Sequence, residues 1–409
     1  MNRVVITGMS AITSLGQDWK TLHNNLLAGN NAVVVMDDWS RFEGLRTRLA
    51  APIPDFIAPK YGRKKVRSMG RVALMATRSS ELALEQAGLL NEPVIQSGDM
   101  GIAYGSSSGT PKAMEGFGQM LLNDSMDGMD ANTYIKMMSH TTAVNLDVFF
   151  GIKGRVIPTS SACTSGSQGI GYAYESIKYG LQTMMLAGGA EELDATQAAV
   201  FDTLFATSIK NDQPELSPRP FDANRDGLVI GEGAATLVLE SLDHAQARGA
   251  TIIAEVIGYH CNSDGQHITQ PNVTTMKIAM AKALEDANID ASVVGYVNAH
   301  GTATEKGDIA ESHATNAVFG SGTPVSSLKS YLGHTLGACG AIEAVCSVEM
   351  MNSHWFSPTL NLDQPDPECA ELDYIVGEGR KIKTDHVVSN NFAFGGINTS
   401  LVFKRWQEA

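Results

Sequence analysis

The apolar positions of the chain fall into two kinds of segment. Short apolar runs predict buried strands, and they lie at residues 3–7, 100–105, 236–240, 251–260, 295–300, 386–390 and 399–403. Longer segments with apolar residues at helical spacing predict helices, and they lie at residues 19–27, 71–88, 273–287, 308–319 and 335–352. A strand, a loop, a helix and another strand are predicted between residues 155 and 195. Because strands and helices alternate, the pattern predicts an α/β fold with a largely parallel sheet.

The order of elements in the first part of the chain repeats loosely in the second part. We therefore expect two related halves, at residues 1–250 and 251–409, although the residues themselves show no clear repeat. No low-complexity stretch is long enough to separate independent domains. A hydrophobic content of 43% in 409 residues is sufficient for a large core.

Composition narrows the function and the location. A formal charge of −14 argues against a general nucleic-acid partner, because phosphates attract cationic surfaces. The five cysteines include no CxxC pair, so a reducing compartment fits better than a disulfide framework. The first residues have no basic segment before a long apolar run, and no run approaches the roughly 20 apolar residues that cross a bilayer. We expect a cytoplasmic protein with neither a membrane nor a nucleic-acid partner.

Cys163 is the first candidate for chemistry. It lies in SSACTSGSQG, a turn of small residues between a predicted strand and a predicted helix. The free N–H groups and the dipole of a helix N-terminus favour a thiolate, and the cysteine's own N–H can stabilise an oxyanion. The alternative is a buried structural cysteine, which is how we interpret Cys339 and Cys346 on a later predicted helix.

Two histidines lie in glycine-flanked loops. His300 follows an apolar strand in GYVNAHGTATEKGD, at the edge where open α/β sheets bind ligands. The next residues include Asp308 and Glu311, a pattern that can cap the following helix. His334 lies in SSLKSYLGHTLGACGAIEA.

Two charged residues flank His334 in an otherwise apolar stretch. Lys329 and Glu343 need partners if they are buried, and they can pair and orient the histidine. A hydrolase of the protease type needs one base and an orienting group, not two imidazoles. Two imidazole donors on one oxygen can stabilise an enolate, as carbon–carbon bond formation requires. The spacing of Cys163 and the two histidines is not that of a structural zinc site, so we expect no metal.

Seven segments together resemble the ketosynthases, that is, the 3-oxoacyl-[acyl-carrier-protein] synthases of the type I/II group in the thiolase-like superfamily. The resemblance runs nearly from end to end. It includes RVVITGMSAITSLG, TSSACTSGSQGIG, LAGGAEE, SPRPFDANRDGLVIGEGAATLVLE, HGTATEKGD, KSYLGHTLGACGAIEA and NNFAFGGINTSL. The resemblance implies a five-layered α/β/α/β/α thiolase fold built from two duplicated halves.

The resemblance also implies roles for particular residues. Cys163 corresponds to the nucleophile that carries the acyl chain, and the pair His300 and His334 to the residues that bind the malonyl thioester and promote loss of carbon dioxide. Lys329 and Glu343 correspond to a lysine of the KS-x-x-GH motif and to its partner glutamate.

Further residues follow from the same resemblance. Phe394 resembles a gating phenylalanine whose backbone N–H joins that of Cys163 in the oxyanion hole. Thr302 and Thr304 resemble threonines that hydrogen-bond the pantetheine arm. Ser108 lies where many type II enzymes carry a bulky apolar residue at the floor of the acyl pocket, and its hydroxyl implies a longer or more polar pocket.

The reaction implied by the resemblance is a ping-pong acyl transfer. An acyl group moves from acyl carrier protein to Cys163, and a decarboxylated malonyl group then attacks it and leaves as a 3-oxoacyl thioester. No metal or redox cofactor is implied, because both substrates are carried on the 4'-phosphopantetheine of acyl carrier protein. The family is usually dimeric, which implies a homodimer or a heterodimer with a ketosynthase-like subunit.

Several alternatives stay open on the sequence. Thiolases share the fold but use a second cysteine near the C-terminal glycines, and NNFAFGGINTS has none. A chain-length-factor-like or scaffold subunit of low activity is the second functional class, and the presence of Cys163 argues against it. The pathway is either fatty acid elongation or a specialised polyene or polyketide assembly, such as aryl polyene synthesis.

A basic cluster stands out in this acidic chain. KYGRKKVRSMGR, at residues 60–71, includes Lys64, Lys65, Arg67 and Arg71. It is either a solvated helix face or a docking surface for the acidic acyl carrier protein, where complementary charge steers the encounter. Residues 114–138 hold six methionines, which indicates either adaptable core packing or a pliable wall of a substrate tunnel.

Overall fold

The structure is a computed structural model that describes residues 1–54 and 56–407. Its strands are β1 (Val4–Ile12), β2 (Val34–Val35), β3 (Leu49–Ala51), β4 (Met100–Gly105), β5 (Val156–Thr159), β6 (Met184–Glu191), β7 (Ile230–Gly231), β8 (Gly233–Ser241), β9 (Ala254–Ser263), β10 (Tyr296–Asn298), β11 (Pro324–Ser326), β12 (Trp355–Phe356), β13 (Asp373–Tyr374), β14 (Arg380–Lys381), β15 (His386–Ala393) and β16 (Ile397–Arg405). No helix in these two ranges is long and apolar enough to cross a membrane.

The helices predicted from the sequence are all present near their predicted positions, and further helices that were not predicted lie between them. The helices are α1 (Trp19–Leu27), α2 (Arg63–Val66), α3 (Arg71–Gln86), α4 (Met114–Asn123), α5 (Ala131–Met137), α6 (Thr141–Phe150), α7 (Ser165–Lys178), α8 (Ala195–Thr203), α9 (Leu242–Ala247), α10 (Val273–Ala287), α11 (Glu305–Phe319), α12 (Lys329–Leu332) and α13 (Cys339–Ser353). The helix predicted at residues 335–352 begins four residues later, because a short 3-10 turn at Leu336–Ala338 precedes it.

Eleven strands form one large sheet in the order β13-β11-β10-β15-β16-β9-β1-β8-β6-β4-β5. Five of its strand pairs are parallel, and the other five are antiparallel. The expectation of a largely parallel sheet is therefore wrong. The long strands β8 and β16 return antiparallel to their neighbours, and a pattern of apolar residues cannot distinguish this direction.

Ten of the eleven strands form two groups with the same topology, and β13 extends the second group beside β11. In chain order the first group is β1, β4, β5, β6 and β8, and the second is β9, β10, β11, β15 and β16. In both groups the strands lie in the order third, second, fourth, fifth, first. The strands β1 and β9 pair with each other and join the groups. The duplication predicted from the loose repeat of elements is present in the topology.

Helices cover both groups and fill the space between them. The helices α7 and α13 pack on each other and contact strands of both groups, so they form the central layer. The pair α3 and α6 covers the outer face of the first group, and α10 with α11 covers that of the second. The two groups of strands therefore form two sheet layers between three helical layers, which is the predicted five-layered α/β/α/β/α arrangement.

The two halves also share a local irregularity. The register of β1 on β8 shifts just before Gly8, and that of β16 on β9 shifts beside Gly258. A Cβ atom at Gly8 would lie 2.1 Å from the carbonyl oxygen of Ala83 in α3, and one at Gly258 would lie 2.3 Å from that of Ala283 in α10. Each glycine therefore lets the first strand of its half touch the helix that covers its outer face, α3 for β1 and α10 for β9.

We expect Gly8→Ala and Gly258→Ala each to lower the free energy of unfolding by about 1–3 kcal/mol, because the added methyl group overpacks the contact between strand and helix. Thermal unfolding followed by calorimetry measures the effect. Gly118→Ala is the matched control, since no atom lies within 4 Å of the added Cβ in helix α4. It should leave stability unchanged or raise it slightly. Equal stability of all three variants would contradict the close contact.

Candidate active site

Cys163 lies in a strained turn between β5 and α7. The turn is a single 3-10 turn, Ala162–Thr164, and Ala162 adopts a positive φ of 50°, which is uncommon for alanine. The hydroxyl of Ser165 donates to the carbonyl of Ala162 at 2.7 Å and accepts the N–H of Ser161 at 3.0 Å. The thiol of Cys339 donates to the carbonyl of Cys163 at 3.2 Å. These contacts fix the backbone on both sides of the nucleophile candidate.

The expectation of a resting thiolate at Cys163 does not hold. Burial raises the pKa of the Cys163 thiol to about 11, and the nearby Lys329 ammonium and the N–H groups of Phe394 and Cys163 only partly oppose this. The helix itself begins at Ser165, two residues further on. Loss of hydration outweighs the favourable dipole, so the thiol is protonated at neutral pH.

His334 faces this thiol directly. Its Nε2 atom lies 3.0 Å from Cys163 Sγ, and its Nδ1 atom accepts the backbone N–H of Leu336 at 3.2 Å. Because Nδ1 accepts a hydrogen bond, the ring proton of the neutral imidazole resides on Nε2. Burial, followed by the nearby Lys329, holds the pKa of His334 well below its usual range, so the ring is neutral.

His300 has the same tautomer for a different reason. Its Nδ1 atom lies 3.2 Å from Lys329 Nζ and 3.4 Å from Asn391 Nδ2, and both of these groups donate. Its proton therefore resides on Nε2 as well. Burial, then Lys329, then His334 lower its pKa well below the usual range. The two imidazole rings are perpendicular, with centroids 5.2 Å apart.

A buried ion pair lies behind His300. Lys329 Nζ donates to Glu343 Oε1 at 2.5 Å, and Asn391 Nδ2 donates to Glu343 Oε2 at 2.7 Å. Burial alone would lower the pKa of Lys329, but the Glu343 carboxylate raises it above the usual value, so the ammonium stays charged. The pairing that the sequence predicted for these two residues is present, but the pair orients His300 rather than His334, which they flank in the sequence.

The loop that carries His300 is held by two carboxylates from α11. Glu311 accepts the N–H groups of His300 and Gly301 at 2.6 and 2.7 Å, and burial raises its pKa to about 8. Asp308 accepts the N–H groups of Thr302 and Ala303 at 3.0 and 3.1 Å. Both carboxylates reach back to the preceding loop. The interpretation of this pair as a simple helix cap is therefore wrong, since α11 already begins at Glu305.

Phe394 follows β15 and lines the same cavity as Cys163. The N–H groups of Phe394 and of Cys163 both favour the thiolate form of Cys163, which places two backbone donors at the sulfur atom. The Phe394 ring packs against Phe201, with centroids 5.3 Å apart. The structure thus brings together the two N–H groups that the resemblance assigns to an oxyanion hole.

Cys163 opens into a cavity of about 410 Å³. Thr302 and Thr304 are on its wall, and their hydroxyl oxygens lie 2.9 Å apart. The apolar lining includes Leu204, Phe205, Ile268, Met276, Phe392 and Phe394. The cavity is therefore a mostly apolar passage that ends at a thiol and two imidazoles.

Ser108, Arg71 and the methionines of residues 114–138 have surroundings that differ from those predicted. The hydroxyl of Ser108 donates to Glu191 at 2.8 Å and accepts from Gln197 at 2.7 Å, and Ser108 is not among the residues that line the described cavity. Arg71 is half-buried and binds Glu232 through two nitrogens, so its charge is already paired. The methionines of residues 114–138 are partly or fully exposed, and no residue of α4 or α5 is buried.

The sequence analysis missed two polar residues that support the site. Asn391 binds Glu343 of the ion pair, and Glu191 accepts the N–H of Gly337 beside His334. Each lies at or near the carboxyl end of a strand. A polar residue in an otherwise apolar run, such as Glu191 in LAGGAEE, is the signal that could have revealed them.

The site has three atoms that could bind a metal ion, but its two histidines are in a tautomer that does not suit metal binding. One ligand atom each from Cys163, His300 and His334 lies within 4.8 Å of the others. A metal needs an unprotonated nitrogen, whereas the contacts at both Nδ1 atoms leave the protons on Nε2. This geometry suits hydrogen-bond donation better than coordination.

Comparisons with known proteins identify the family of the chain. The family profile described as "Beta-ketoacyl synthase, N-terminal domain" matches residues 1–245, and that described as "Beta-ketoacyl synthase, C-terminal domain" matches residues 253–363. The 3-oxoacyl-[acyl-carrier-protein] synthase 2 of Vibrio harveyi is 36% identical over 415 residues, which cover 99% of each chain.

Solved structures show the same relationship. A beta-ketoacyl synthase from Burkholderia phymatum is 61% identical, with a TM-score of 0.98 and full coverage of both chains. The ishigamide ketosynthase/chain length factor is 29% identical, with a TM-score of 0.91 over 99% of this chain and 100% of that one. These likenesses confirm the predicted thiolase-like fold and family. The chain belongs to the beta-ketoacyl synthase family, whose members are acyltransferases that form carbon–carbon bonds.

Proposed function

We propose that this protein condenses an acyl thioester with a malonyl thioester, both carried by acyl carrier protein, and releases a 3-oxoacyl thioester. The observation that carries the proposal is the contact of 3.0 Å between Cys163 Sγ and His334 Nε2, beside a second neutral imidazole, at the end of an apolar cavity. A nucleophile and two hydrogen-bond donors at one point are what such a reaction requires.

In the first half-reaction, the sulfur of Cys163 attacks the acyl carbonyl carbon. The carbon–sulfur bond to the carrier's pantetheine breaks, and the thiol proton of Cys163 ends on the departing pantetheine sulfur. The N–H groups of Cys163 and Phe394 bind the carbonyl oxygen as negative charge develops on it. The hydroxyls of Thr302 and Thr304 bind the pantetheine arm.

In the second half-reaction, the malonyl thioester places its carbonyl oxygen against the Nε2–H donors of His300 and His334. Carbon dioxide leaves with cleavage of one carbon–carbon bond, and the electron pair forms an enolate whose charge these donors stabilise. The enolate carbon attacks the acyl carbon on Cys163, and the sulfur leaves as a thiolate that takes one proton from solvent. The Lys329 ammonium, paired with Glu343, keeps His300 in its Nε2-protonated tautomer, and the N–H of Leu336 does the same for His334. No metal takes part in this scheme.

The alternative, a chain-length-factor-like or scaffold subunit of low activity, deserves comparison because one structural relative is a ketosynthase paired with a chain length factor. The residues Cys163, His300 and His334 favour the active enzyme. For the pathway, fatty acid elongation and a specialised polyene or polyketide assembly, including aryl polyene synthesis, both remain compatible with this site.

We also propose that the protein pairs with a second subunit across strand β5. The strand β5 lies at one edge of the large sheet, and Val156 on it is 38% exposed. Helix α4, in the same half, leaves Leu121 and Leu122 73% and 81% exposed. A second copy or a ketosynthase-like or chain-length-factor subunit would cover both. The five unpaired cysteines are in keeping with a place in the cytoplasm.

For the docking of acyl carrier protein, we propose the exposed basic residues Lys64, Lys65 and Arg67 around α2. We leave Arg71 out, since Glu232 neutralises it. An acidic carrier protein would be steered to these charges, which lie in a chain whose net charge is −14.

Exposure to acyl-carrier protein should place one acyl group on Cys163, which intact-mass and peptide mass spectrometry detect. Cys163→Ala should show no adduct and lose condensation. Cys261→Ala is the matched control, since Cys261 is a half-buried free thiol outside the cavity, and it should react normally. A variant Cys163→Ala that still condenses at the parent rate would contradict the proposal, and a parent protein that forms no adduct would favour the scaffold alternative.

The double charge reversal Lys65→Glu with Arg67→Glu should raise the apparent KM for carrier-bound substrate severalfold, because the steering charge is inverted. Steady-state kinetics at low and high salt measure this effect, which should shrink as salt screens it. Lys277→Glu, a charge reversal at an exposed position on α10 in the other half, is the control for a change of surface charge away from α2. An unchanged KM in a folded double variant would contradict the docking proposal.

A further inference from the structure

Glu191 holds a carboxylate at the junction of the two halves. It is the last residue of β6, and its side chain is fully buried. Its Oε1 atom accepts from the hydroxyl of Ser108 at 2.8 Å, the N–H of Ser108 at 3.2 Å and the hydroxyl of Ser106 at 3.1 Å. Its Oε2 atom accepts from the N–H of Ser107 at 2.8 Å, the hydroxyl of Ser107 at 2.5 Å and the N–H of Gly337 at 2.9 Å.

All six partners of Glu191 are neutral donors. None of the ion pairs found within residues 1–54 and 56–407 includes it. An ionised carboxylate only accepts hydrogen bonds, so each of its oxygens matches the three donors that face it. An amide in its place would turn an NH₂ group toward donors and leave some of them unsatisfied.

One of the six donors belongs to the loop of His334. Gly337 lies in the turn Leu336–Ala338, whose first N–H binds His334 Nδ1. A Cβ atom at Gly337 would lie only 2.7 Å from Glu191 Oε2, so this contact needs glycine. The other five donors come from residues 106–108, in the half that carries Cys163. Glu191 therefore joins the cysteine half to the peptide that orients the histidine.

The charge of Glu191 also reaches the thiol. Burial is the main cause of the raised pKa of Cys163, and the Glu191 carboxylate adds to it. Removal of that charge would make the thiolate easier to form, although the same change would loosen the His334 loop. The first effect would raise the reactivity of the Cys163 thiol and the second would lower the rate of condensation, so the two can be measured separately.

We propose that Glu191 is a positioning residue for condensation, whose carboxylate clamps the serine loop at residues 106–108 to the amide of Gly337 and so holds His334 against Cys163. This role rests on the proposed function. It also accounts for Ser108, whose hydroxyl serves the clamp rather than the acyl pocket.

Glu191→Gln should lower kcat for condensation about tenfold to a hundredfold with little change in KM, because a small displacement of a catalytic group costs rate rather than binding. Glu192→Gln is the matched control. Glu192 is the adjacent buried carboxylate, but it accepts from the N–H of Val72 and the hydroxyl of Thr110. It should retain the parent kcat.

The pH dependence of alkylation of Cys163 by iodoacetamide gives a readout that a loss of stability alone would not move. Glu191→Gln should shift the half-maximal rate to lower pH, because the nearby anion is gone. Glu191→Asp keeps the charge but withdraws it by one methylene, so it should lose kcat with a much smaller shift. The double variant Ser107→Ala with Ser108→Ala removes two of the donors to Glu191 and should lower kcat severalfold. It tests the clamp in case Glu191→Gln does not fold.

Parent kcat and an unshifted alkylation profile in folded Glu191→Gln would overturn the clamp, as would parent kcat in the serine double variant. These outcomes differ from a failure of the proposed function, in which the parent protein itself would not condense. The alkylation profile needs no condensation and can be read in either case.

Discussion

The ammonium of Lys329 and the carboxylate of Glu343 lie together behind the His300 ring, shielded from solvent, and the chemistry of the cavity depends on this pair. A buried charge without a partner is costly, and here each ion satisfies the other. Because the Lys329 ammonium can only donate hydrogen bonds, the Nδ1 atom of His300 must be the acceptor, and the ring proton lies on Nε2. Burial is the main cause of the low pKa of His300, and the Lys329 ammonium adds to it, so the ring stays a neutral donor.

The duplicated fold explains why these groups meet. Cys163 lies between the third strand of the first half, β5, and α7, and His334 lies between the third strand of the second half, β11, and α13, just after the short helix α12. The helices α7 and α13 that follow them pack together in the central layer. Two loops at equivalent positions in the two halves therefore face each other, and a thiol and an imidazole separated by 171 residues come into contact.

Much of this could be predicted from the sequence, because the periodicity of apolar residues placed the helices and the motifs carried Cys163, His300 and His334. Strand direction could not be predicted, since apolar runs do not encode it. The protonation of Cys163 was also missed, because the degree of burial is a property of the packed structure. Ser108 and Arg71 were assigned to a pocket and a surface, but buried carboxylates distant in sequence hold both. Long-range partners of this kind have no local signal.

The central claim is that both imidazoles at the thiol are neutral and carry their proton on Nε2. Nitrogen NMR of protein labelled in its histidine rings, assigned with His300→Ala and His334→Ala, measures this directly. We expect both rings to show the Nε2-protonated neutral tautomer at neutral pH and to keep it as the pH falls through about 6.5, the ordinary pKa of histidine. A proton on Nδ1, or a charged ring near neutral pH, would contradict the account.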